Sequence, residues 1–422
     1  MTLLQVHQAL RHVQSGMRVF VGSGAAVPSE LLAGLCDVAP ELDDVKLYSL
    51  LTLGDDPTCA PKFAGHLRHQ AFFVGNNVRA AVREGRADFI PVCLSEVAGL
   101  LRGPLPIDVA LVSVSMPDAH GFCSLGVSVD IVKPAVDSAR IVIAEMNPQM
   151  PRTHGDAFVH VSRLHVVSVD HPLPTLEEQH ATDDVCLAIG RHIAGLIDDG
   201  STLQLGIGAI PNAVLECLKG HRDLGIHTEM FSDGVTHLVD AGVINNQKKT
   251  LHRGKIVTSF VMGSDDLYTF VDDNPMVEMH PSHYVNDPFI IAQNDHMVSI
   301  NSALSVDLSG QVCADSIGHD IYSGVGGQAD FVRGANRSKG GKSIIALPST
   351  AQGGVVSRIC TDLLRGSGVT TSRSDVQFIV TEYGVAEMRG RTLRERVKAL
   401  VSIAHPKFRD GLAASARELR WI

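Results

Sequence analysis

The 422-residue sequence lacks several features that would assign it to a specialised class of protein. Its eight cysteines are scattered and include no CxxC pair, which favours reduced core thiols over a disulfide framework or a zinc knuckle. No apolar run reaches the length of about 20 residues that spans a bilayer. The N-terminal residues do not have the pattern of a secretory signal. We therefore expect a cytoplasmic protein with no membrane role.

Positive charge is also scarce. The net charge is −10 and no basic block is present, so the sequence predicts no nucleic-acid partner. The histidines form no HExxH helix, and the H-x-E triplet at 227–229 has no P-C-x-x-C segment to complete a zinc deaminase site. No GK[ST] sequence follows a suitable glycine loop. The sequence thus predicts neither a metal centre nor a Walker-type nucleotide loop.

Short apolar runs are present in abundance, and they alternate with helical or Gly/Pro-rich segments. Such runs lie at 17–21, 45–53, 70–74 and 107–114, while helical patterns cover 3–15 and begin again at Pro28-Ser29. This alternation favours an α/β fold with a largely parallel sheet. A chain of this length exceeds what one hydrophobic core usually fills, and its 45% apolar residues can supply two.

The two halves of the chain resemble each other. Five pairs of segments recur in the same order: 19–35 with 203–218, 44–55 with 223–234, 72–82 with 259–271, 112–124 with 298–314, and 141–147 with 378–384. Together they suggest a duplicated α/β unit. The joint is expected near 171–184, a polar stretch that contains proline. We therefore predict two similar domains, at 1–175 and 186–422.

The segment 227–234, HTEMFSDG, places a lone carboxylate, Glu229, between an apolar run and a Ser-Asp-Gly turn. A carboxylate there would lie at a strand end. Leu50 stands at the matching position of the first half, so the second half is expected to carry the reactive group. The first half would then supply a wall of the cleft.

A second candidate feature is the apolar run that turns through Gly206 and Gly208 and reaches Pro211. Proline is well suited to open a helix, so the pattern is typical of an anion-binding turn, although a plain strand-to-helix turn explains it equally well. A dinucleotide site is disfavoured, because its fingerprint needs a third glycine where Pro211 stands.

Two other glutamates and a pair of glycines are further candidates for the site. Glu145 and Glu382 each end an apolar strand in one half, which indicates a shared structural role rather than chemistry. The segment 322–331 contains the triplet Gly326-Gly327-Gln328, which also occurs in peptide release factors, but the acidic chain disfavours that function. Consecutive glycines instead let backbone N–H groups approach a ligand oxygen, as an oxyanion hole requires.

Several motifs together resemble the acetyl-CoA hydrolase/transferase family, and within it the 4-hydroxybutyrate or butyrate:acetate CoA-transferase branch. These motifs are the segments 145–156, 206–211, 227–234, 298–318, 322–331 and 380–406. The similarity covers nearly the whole chain. It implies two open α/β domains of the CoA-transferase type, with the active site at their junction. The residues that it assigns are Glu229 as nucleophile, Asn301 and Gly327 around the reacting carbonyl oxygen, and Gly206, Gly208, Pro211, Gly326 and Gln328 in CoA binding.

The resemblance also implies the chemistry. An ionised glutamate attacks a thioester, and the resulting acyl-glutamyl anhydride is converted by CoA into a glutamyl-CoA thioester. The expected partners are an acyl-CoA and a small carboxylate such as acetate, butyrate, 4-hydroxybutyrate, succinate or itaconate. We expect no cofactor and no metal, and the sequence leaves open whether the protein forms a homo-oligomer. Two alternatives remain: an acyl-CoA hydrolase that uses the same Glu229, and a non-catalytic metabolite sensor.

Overall fold

The computed structural model describes residues 3–176 and 183–422, which fold into two compact units. The first unit contains 1–177, 257–285 and 321–326, and the second contains 178–256, 286–320 and 327–422. The predicted division into 1–175 and 186–422 differs from these units because two later segments return to the first unit. A sequence pattern shows which segments form strands, but it does not show which sheet each strand joins.

The helices among the described residues are α1 (Val6–Leu10), α2 (Ser29–Val38), α3 (Asn76–Arg83), α4 (Val97–Arg102), α5 (Val132–Ser138), α6 (Asp184–Ala194), α7 (Ala209–Cys217), α8 (Asp233–Asp240), α9 (Asp265–Val271), α10 (Ser282–Val285), α11 (Pro288–Ile291), α12 (Gln328–Arg337), α13 (Leu393–Ile403) and α14 (Pro406–Glu418). Within this part of the chain, no helix is both long enough and apolar enough to cross a lipid bilayer.

The strands in the same ranges are β1 (Leu3–Leu4), β2 (Arg18–Val21), β3 (Val45–Ser49), β4 (Leu67–Ala71), β5 (Ala87–Phe89), β6 (Val109–Val114), β7 (Phe122–Ser124), β8 (Ile141–Met146), β9 (His154–Gly155), β10 (Phe158–His160), β11 (His165–Ser168), β12 (Thr202–Leu205), β13 (Gly225–Ile226), β14 (Met230–Phe231), β15 (Ile256–Thr258), β16 (Phe260–Val261), β17 (Val277–Met279), β18 (Met297–Ser302), β19 (Ser305–Asp307), β20 (Val312–Cys313), β21 (Ser316–Ile317), β22 (Asp320–Ile321), β23 (Lys342–Ala346), β24 (Thr350–Ala351), β25 (Val356–Ser357), β26 (Ile359–Cys360), β27 (Phe378–Thr381) and β28 (Gly384–Glu387).

The first unit is built on an eight-stranded sheet in the order β1-β11-β8-β6-β2-β3-β4-β5, and its strand pairs are parallel. All six residues of β6 are buried, as expected for a central strand of a parallel sheet. This confirms the predicted α/β fold. The helix predicted over 3–15 is shorter, because Leu3 and Leu4 pair with Val166 and Val167 of β11, a distant partner that the local pattern does not show.

The second unit contains a six-stranded sheet in the order β13-β12-β18-β23-β27-β28. Its pairs are parallel except for β28, which runs antiparallel to β27. Helices α13 and α14 bury one face in the core of this unit, where Val397 and Leu400 pack with Ile379 and are fully buried. The eight cysteines of the chain are free, which agrees with the prediction of reduced thiols.

The two sheets share one strand order, which confirms part of the predicted duplication. The run β3-β2-β6-β8-β11 in the first unit matches β13-β12-β18-β23-β27 in the second, both in space and along the chain. Three of the five predicted segment pairs follow this match. The pair 141–147 with 378–384 is wrong, because β23 and not β27 occupies the place of β8. The pair 72–82 with 259–271 is also wrong, because both segments belong to the first unit.

Glu145 and Glu382 are therefore not equivalent residues. When positions are counted from the turn glycines Gly22 and Gly206 along the paired strands, Glu145 corresponds to Ala346. The shared role expected from the sequence is therefore wrong, although each carboxylate is hydrogen-bonded within the protein. The Glu382 carboxylate accepts the backbone N–H and the hydroxyl of Ser349, at 2.8 and 2.5 Å.

Glu145 lies within β8 and is fully buried. Its Oε1 accepts the backbone N–H of Leu31, in the first turn of α2, at 2.6 Å. The carboxylate thus caps the N-terminus of α2, an arrangement that both the helix dipole and the unsatisfied N–H groups favour. Burial raises the pKa of Glu145 to about 7, although the Leu31 N–H and the nearby His171 act in the opposite direction.

The raised pKa of Glu145 predicts a dependence of stability on pH. Because the native state binds this proton more tightly than the unfolded state, the contribution to stability is present below about pH 4.5 and is lost as the pH rises towards 7. Its full size is on the order of 3 kcal/mol. Glu145→Gln keeps an acceptor for Leu31 but cannot titrate. In urea unfolding at pH 5 and pH 8, the variant should lose less stability than the wild type; equal losses would contradict the assignment.

Candidate active site

Glu229 follows β13 in the second unit, at the strand end where the sequence predicted it. The chain before it is fixed, because the His227 N–H donates to the Leu203 carbonyl at 3.1 Å. The Thr228 hydroxyl lies 3.0 Å from the Leu205 carbonyl oxygen and 2.8 Å from that of Met230. His227 and Thr228 are buried, whereas Glu229 is half-buried. Hydrogen bonds therefore anchor the backbone before Glu229, while the residue itself stays partly exposed.

The predicted Ser-Asp-Gly turn after Glu229 is instead the start of a helix. Ser232 is the N-cap of α8, and Asp233 is its first residue. Serine and aspartate are typical of this position, since both occur at helix N-termini as well as in turns.

Two further residues of the second unit meet the Glu229 carboxylate. The Asn286 side-chain amide donates to Glu229 Oε2 at 2.7 Å. A Cβ atom added to Gly327 would lie only 2.0 Å from the same oxygen and 2.2 Å from Asn286 Nδ2. A side chain at 327 would therefore displace the carboxylate or the amide that holds it, because these two groups fill the space that its Cβ would take.

The N-terminus of α12 contributes to the electrostatics of this site. Gly327 is the N-cap of α12, so the positive end of the helix dipole lies beside Glu229 and favours an anion there. Phe331 in the same helix contacts the His227 ring, with 6.3 Å between the ring centroids. This contact ties the start of α12 to the segment that carries the carboxylate.

The structure also distinguishes Gly327 from its neighbour Gly326. Gly326 belongs to the first unit and has φ of +55°, a conformation that glycine adopts readily. Its carbonyl oxygen accepts the Leu94 N–H at 3.0 Å, and its Cα faces Phe73. Of the two glycines, Gly327 is the one that lies against the Glu229 carboxylate.

The turn through Gly206 and Gly208 connects β12 to α7. Gly208 is the N-cap with φ of +111°, and α7 begins at Ala209, two residues before Pro211. Pro211 thus lies in the first turn, where a missing N–H costs no hydrogen bond, but it does not open the helix as predicted. A Cβ added to Gly206 or Gly208 would meet no atom within 4 Å, so the turn borders open space.

The matching turn of the first unit is filled by the protein itself. A Cβ at Gly24, the counterpart of Gly208, would lie 2.9 Å from Ser128 Oγ. The Ser23 hydroxyl donates to the buried Asp130 carboxylate at 3.0 Å, and Glu145 caps the helix that follows. Since Ala346 takes the place of Glu145 in the second unit, the turn at Gly206 is the one with room for an anionic ligand.

The other predicted site residues have partners elsewhere in the second unit. The Asn301 side chain, on β18, forms two hydrogen bonds with Gln204 of β12, at 3.1 and 3.3 Å. Gln328 Nε2 donates to the Ser302 carbonyl at 2.9 Å. The roles of Asn301 around the reacting carbonyl and of Gln328 in CoA binding therefore stay predictions.

Asn286 is the site residue that sequence reasoning missed. It stands in the segment Asn286-Asp287-Pro288, a pattern that indicates a turn and gives no sign of chemistry. Its side chain is fully buried, and its Oδ1 has no hydrogen-bond partner. The sequence does not show that this asparagine is buried, so the signal appears only in the structure, where a buried amide requires a polar partner.

Two protein-family models and a known enzyme match this chain over most of its length. The model of the acetyl-CoA hydrolase/transferase N-terminal domain matches residues 2–176, and that of the C-terminal domain matches residues 263–416. The chain is 52% identical to 4-hydroxybutyrate coenzyme A transferase of Clostridium kluyveri, over 97% of this chain and 96% of the relative.

Solved structures of similar proteins match the chain over nearly its whole length. The chain is 38% identical to RipA from Yersinia pestis, with a TM-score of 0.95 over 100% of this chain and 98% of that one. It is 42% identical to a 4-hydroxybutyrate CoA-transferase from Porphyromonas gingivalis, with a TM-score of 0.85 over 99% and 97% of the two chains.

Proposed function

The chain belongs to the acetyl-CoA hydrolase/transferase family and transfers coenzyme A, and on this premise we propose that it moves CoA between an acyl-CoA and a small carboxylate through a covalent bond to Glu229. The proposed substrates are 4-hydroxybutyrate, butyrate or acetate, with a dicarboxylate as a further acceptor. The observation that carries the proposal is the half-buried Glu229 carboxylate, held by Asn286 against Gly327.

The first half of the reaction forms an anhydride. A Glu229 oxygen attacks the thioester carbonyl, giving a tetrahedral oxyanion, and the carbon–sulfur bond breaks to release CoA thiolate. The thiolate then attacks the glutamyl carbonyl carbon, and the donor carboxylate leaves. The product is a glutamyl-CoA thioester, which keeps the energy of the original thioester bond. A second carboxylate repeats these steps in reverse.

Asn286 is suited to orient the nucleophile and to stabilise charge. Its N–H group fixes Glu229 Oε2, which becomes the carbonyl oxygen of the glutamyl thioester. When thiolate or carboxylate adds to that carbonyl, the oxygen becomes an oxyanion and the hydrogen bond strengthens. One such preorganised donor is typically worth about 3 kcal/mol in the transition state.

The turn at Gly206 and Gly208 is the proposed contact for CoA. Its glycines border open space, so a ligand can approach the backbone closely, and the N-terminus of α7 favours a negatively charged group. Gln328 Oε1 is buried without a hydrogen-bond partner and is suited to accept an amide N–H of the pantetheine arm. Pro211, in the first turn of α7, and Gly326, the residue before Gly327, complete the proposed set of CoA-binding residues.

A panel of donors and acceptors tests this function. The protein is incubated with acetyl-, butyryl- or 4-hydroxybutyryl-CoA and an isotopically labelled free acid, and the new acyl-CoA is measured by mass spectrometry. We expect exchange with parallel double-reciprocal lines, because the donor acid leaves before the acceptor enters. Intersecting lines would contradict the covalent intermediate, and release of CoA without an acceptor would assign the chain to the hydrolases of its family.

A further inference from the structure

A group of three side chains in the first unit, which includes the buried His69, has the composition of a metal site. Asp56, Cys59 and His69 each direct one donor atom to a common point, and these atoms lie within 4.8 Å of one another. Asp56 Oδ2 is 3.1 Å from His69 Nδ1, and Cys59 Sγ is 3.6 Å from the same nitrogen. The side chains of Asp56 and His69 are each 3% exposed, whereas Cys59 is half-buried.

One proton on His69 Nδ1 can donate to Asp56 Oδ2 at 3.1 Å, while Cys59 Sγ makes a longer contact of 3.6 Å with the same nitrogen. A cation at the common point would satisfy all three donors at once. Around a tetrahedral zinc ion with its usual bond lengths of about 2.0–2.3 Å, neighbouring donors lie about 3.3–3.6 Å apart. The two separations from His69 Nδ1, 3.1 and 3.6 Å, are close to this range, and Asp56 Oδ2 lies within 4.8 Å of Cys59 Sγ.

The surrounding residues orient these donors as the outer shell of a metal site does. Ser49 Oγ lies 2.6 Å from His69 Nε2, on the opposite side of the ring from Nδ1. A proton on Nε2 donated to Ser49 leaves the Nδ1 lone pair for an ion. The other oxygen of Asp56 accepts the backbone N–H of Thr58 at 2.9 Å and its hydroxyl at 2.5 Å, which leaves Oδ2 directed at the histidine.

We propose that Asp56, Cys59 and His69 bind a divalent transition-metal ion of the zinc class through Oδ2, Sγ and Nδ1. A thiolate and an imidazole select such an ion over magnesium or calcium, which prefer oxygen ligands. Binding releases the thiol proton of Cys59, and that of Nδ1, to solvent. The ion joins the 56–59 segment to β4. The spacing D-x2-C-x9-H resembles none of the zinc patterns sought in the sequence, so this site departs from the expectation of no metal.

Cobalt substitution tests the site directly. The full-length protein is freed of metal by chelation and titrated with Co²⁺, which gives a thiolate-to-cobalt charge-transfer band when a cysteine is a ligand. The band should appear in the wild type, disappear in Cys59→Ser and persist in Cys123→Ser. Cys123 is the control, because it is a buried free thiol whose pKa burial raises to about 11, and the charges that act on it are Arg152 and Asp118 rather than members of the group.

A substitution outside the three ligands makes the test independent of Cys59. Ser49→Ala removes the partner of His69 Nε2 and should weaken Co²⁺ binding about 10–100-fold while keeping the band. X-ray absorption of the zinc-loaded wild type should show one sulfur ligand. The absence of a band at excess Co²⁺, an unchanged band in Cys59→Ser, or a zinc spectrum without sulfur would overturn the proposal and leave Asp56, Cys59 and His69 as a hydrogen-bonded cluster.

Discussion

Glu229→Gln is expected to reduce CoA transfer roughly 10⁴-fold or more, the scale on which loss of a catalytic nucleophile is felt. Glutamine preserves the shape of the side chain and can still contact Asn286, but its neutral amide does not attack a thioester. The measurement is twofold: the steady-state exchange rate, and peptide mass spectrometry after treatment with acyl-CoA and borohydride. Borohydride reduces the glutamyl thioester to an alcohol, which marks residue 229 in the wild type and should be missing in the variant.

Two other glutamates provide matched controls. Glu145→Gln and Glu382→Gln should still form the adduct, because the structure gives Glu145 a role at the N-terminus of α2 and pairs Glu382 with Ser349. A label on either of these residues would show that the nucleophile has been misassigned. If the enzyme exchanges CoA rapidly but no residue carries the label, the proposed covalent mechanism is wrong.

Gly327→Ala is expected to lower kcat about a hundredfold with little change in fold. The added methyl group would lie 2.0 Å from Glu229 Oε2, so the carboxylate must move, and a displacement of about 1 Å at a reacting group can cost this much in rate. Gly220→Ala is the matched control, because a Cβ there meets no atom within 4 Å and φ is not positive. The kcat values of both variants are compared with the wild type, and thermal unfolding checks the fold. If the two variants have equal kcat values, the position of Gly327 beside Glu229 does not matter for catalysis.

The amide that holds Glu229 is tested with the same assay. Asn286→Ala should lower kcat about 10²–10³-fold, as expected for the loss of one preorganised donor. Asn301→Ala provides the comparison, since the Asn301 amide is paired with Gln204. If Asn301→Ala has the larger effect, the sequence-based assignment was right and the role proposed for Asn286 is wrong.

The sequence predicted the α/β fold because its signals are local. Buried parallel strands appear as short apolar runs, and β2, β3 and β6 lie close to where those runs predicted them. The position of Glu229 at a strand end was predictable for the same reason. The start of α7 was displaced by two residues, because proline is tolerated throughout the first turn and does not specify one position within it.

The remaining features depend on contacts between distant segments. Asn286 lies 57 residues from Glu229 along the chain, and no periodicity relates the two. The match of 141–147 with 378–384 was wrong because β23 and β27 are neighbouring strands of similar apolar composition. Only the strand pairing shows that β23, and not β27, corresponds to β8. The group at Asp56 was missed for a similar reason, since its spacing acquires meaning only once the 56–59 segment packs against β4.

The return of 257–285 and 321–326 to the first unit affects the order in which the protein can fold during synthesis. Strand β17 pairs with β9, so the first unit is unfinished when residue 177 leaves the ribosome. At about 5–20 residues per second, the roughly 150 residues up to 326 take another 7–30 s to be made. During that interval, β9 has not yet met its partner strand, so its backbone groups are open to chaperones or to another nascent chain. A fragment that ends near residue 177 would never supply that partner.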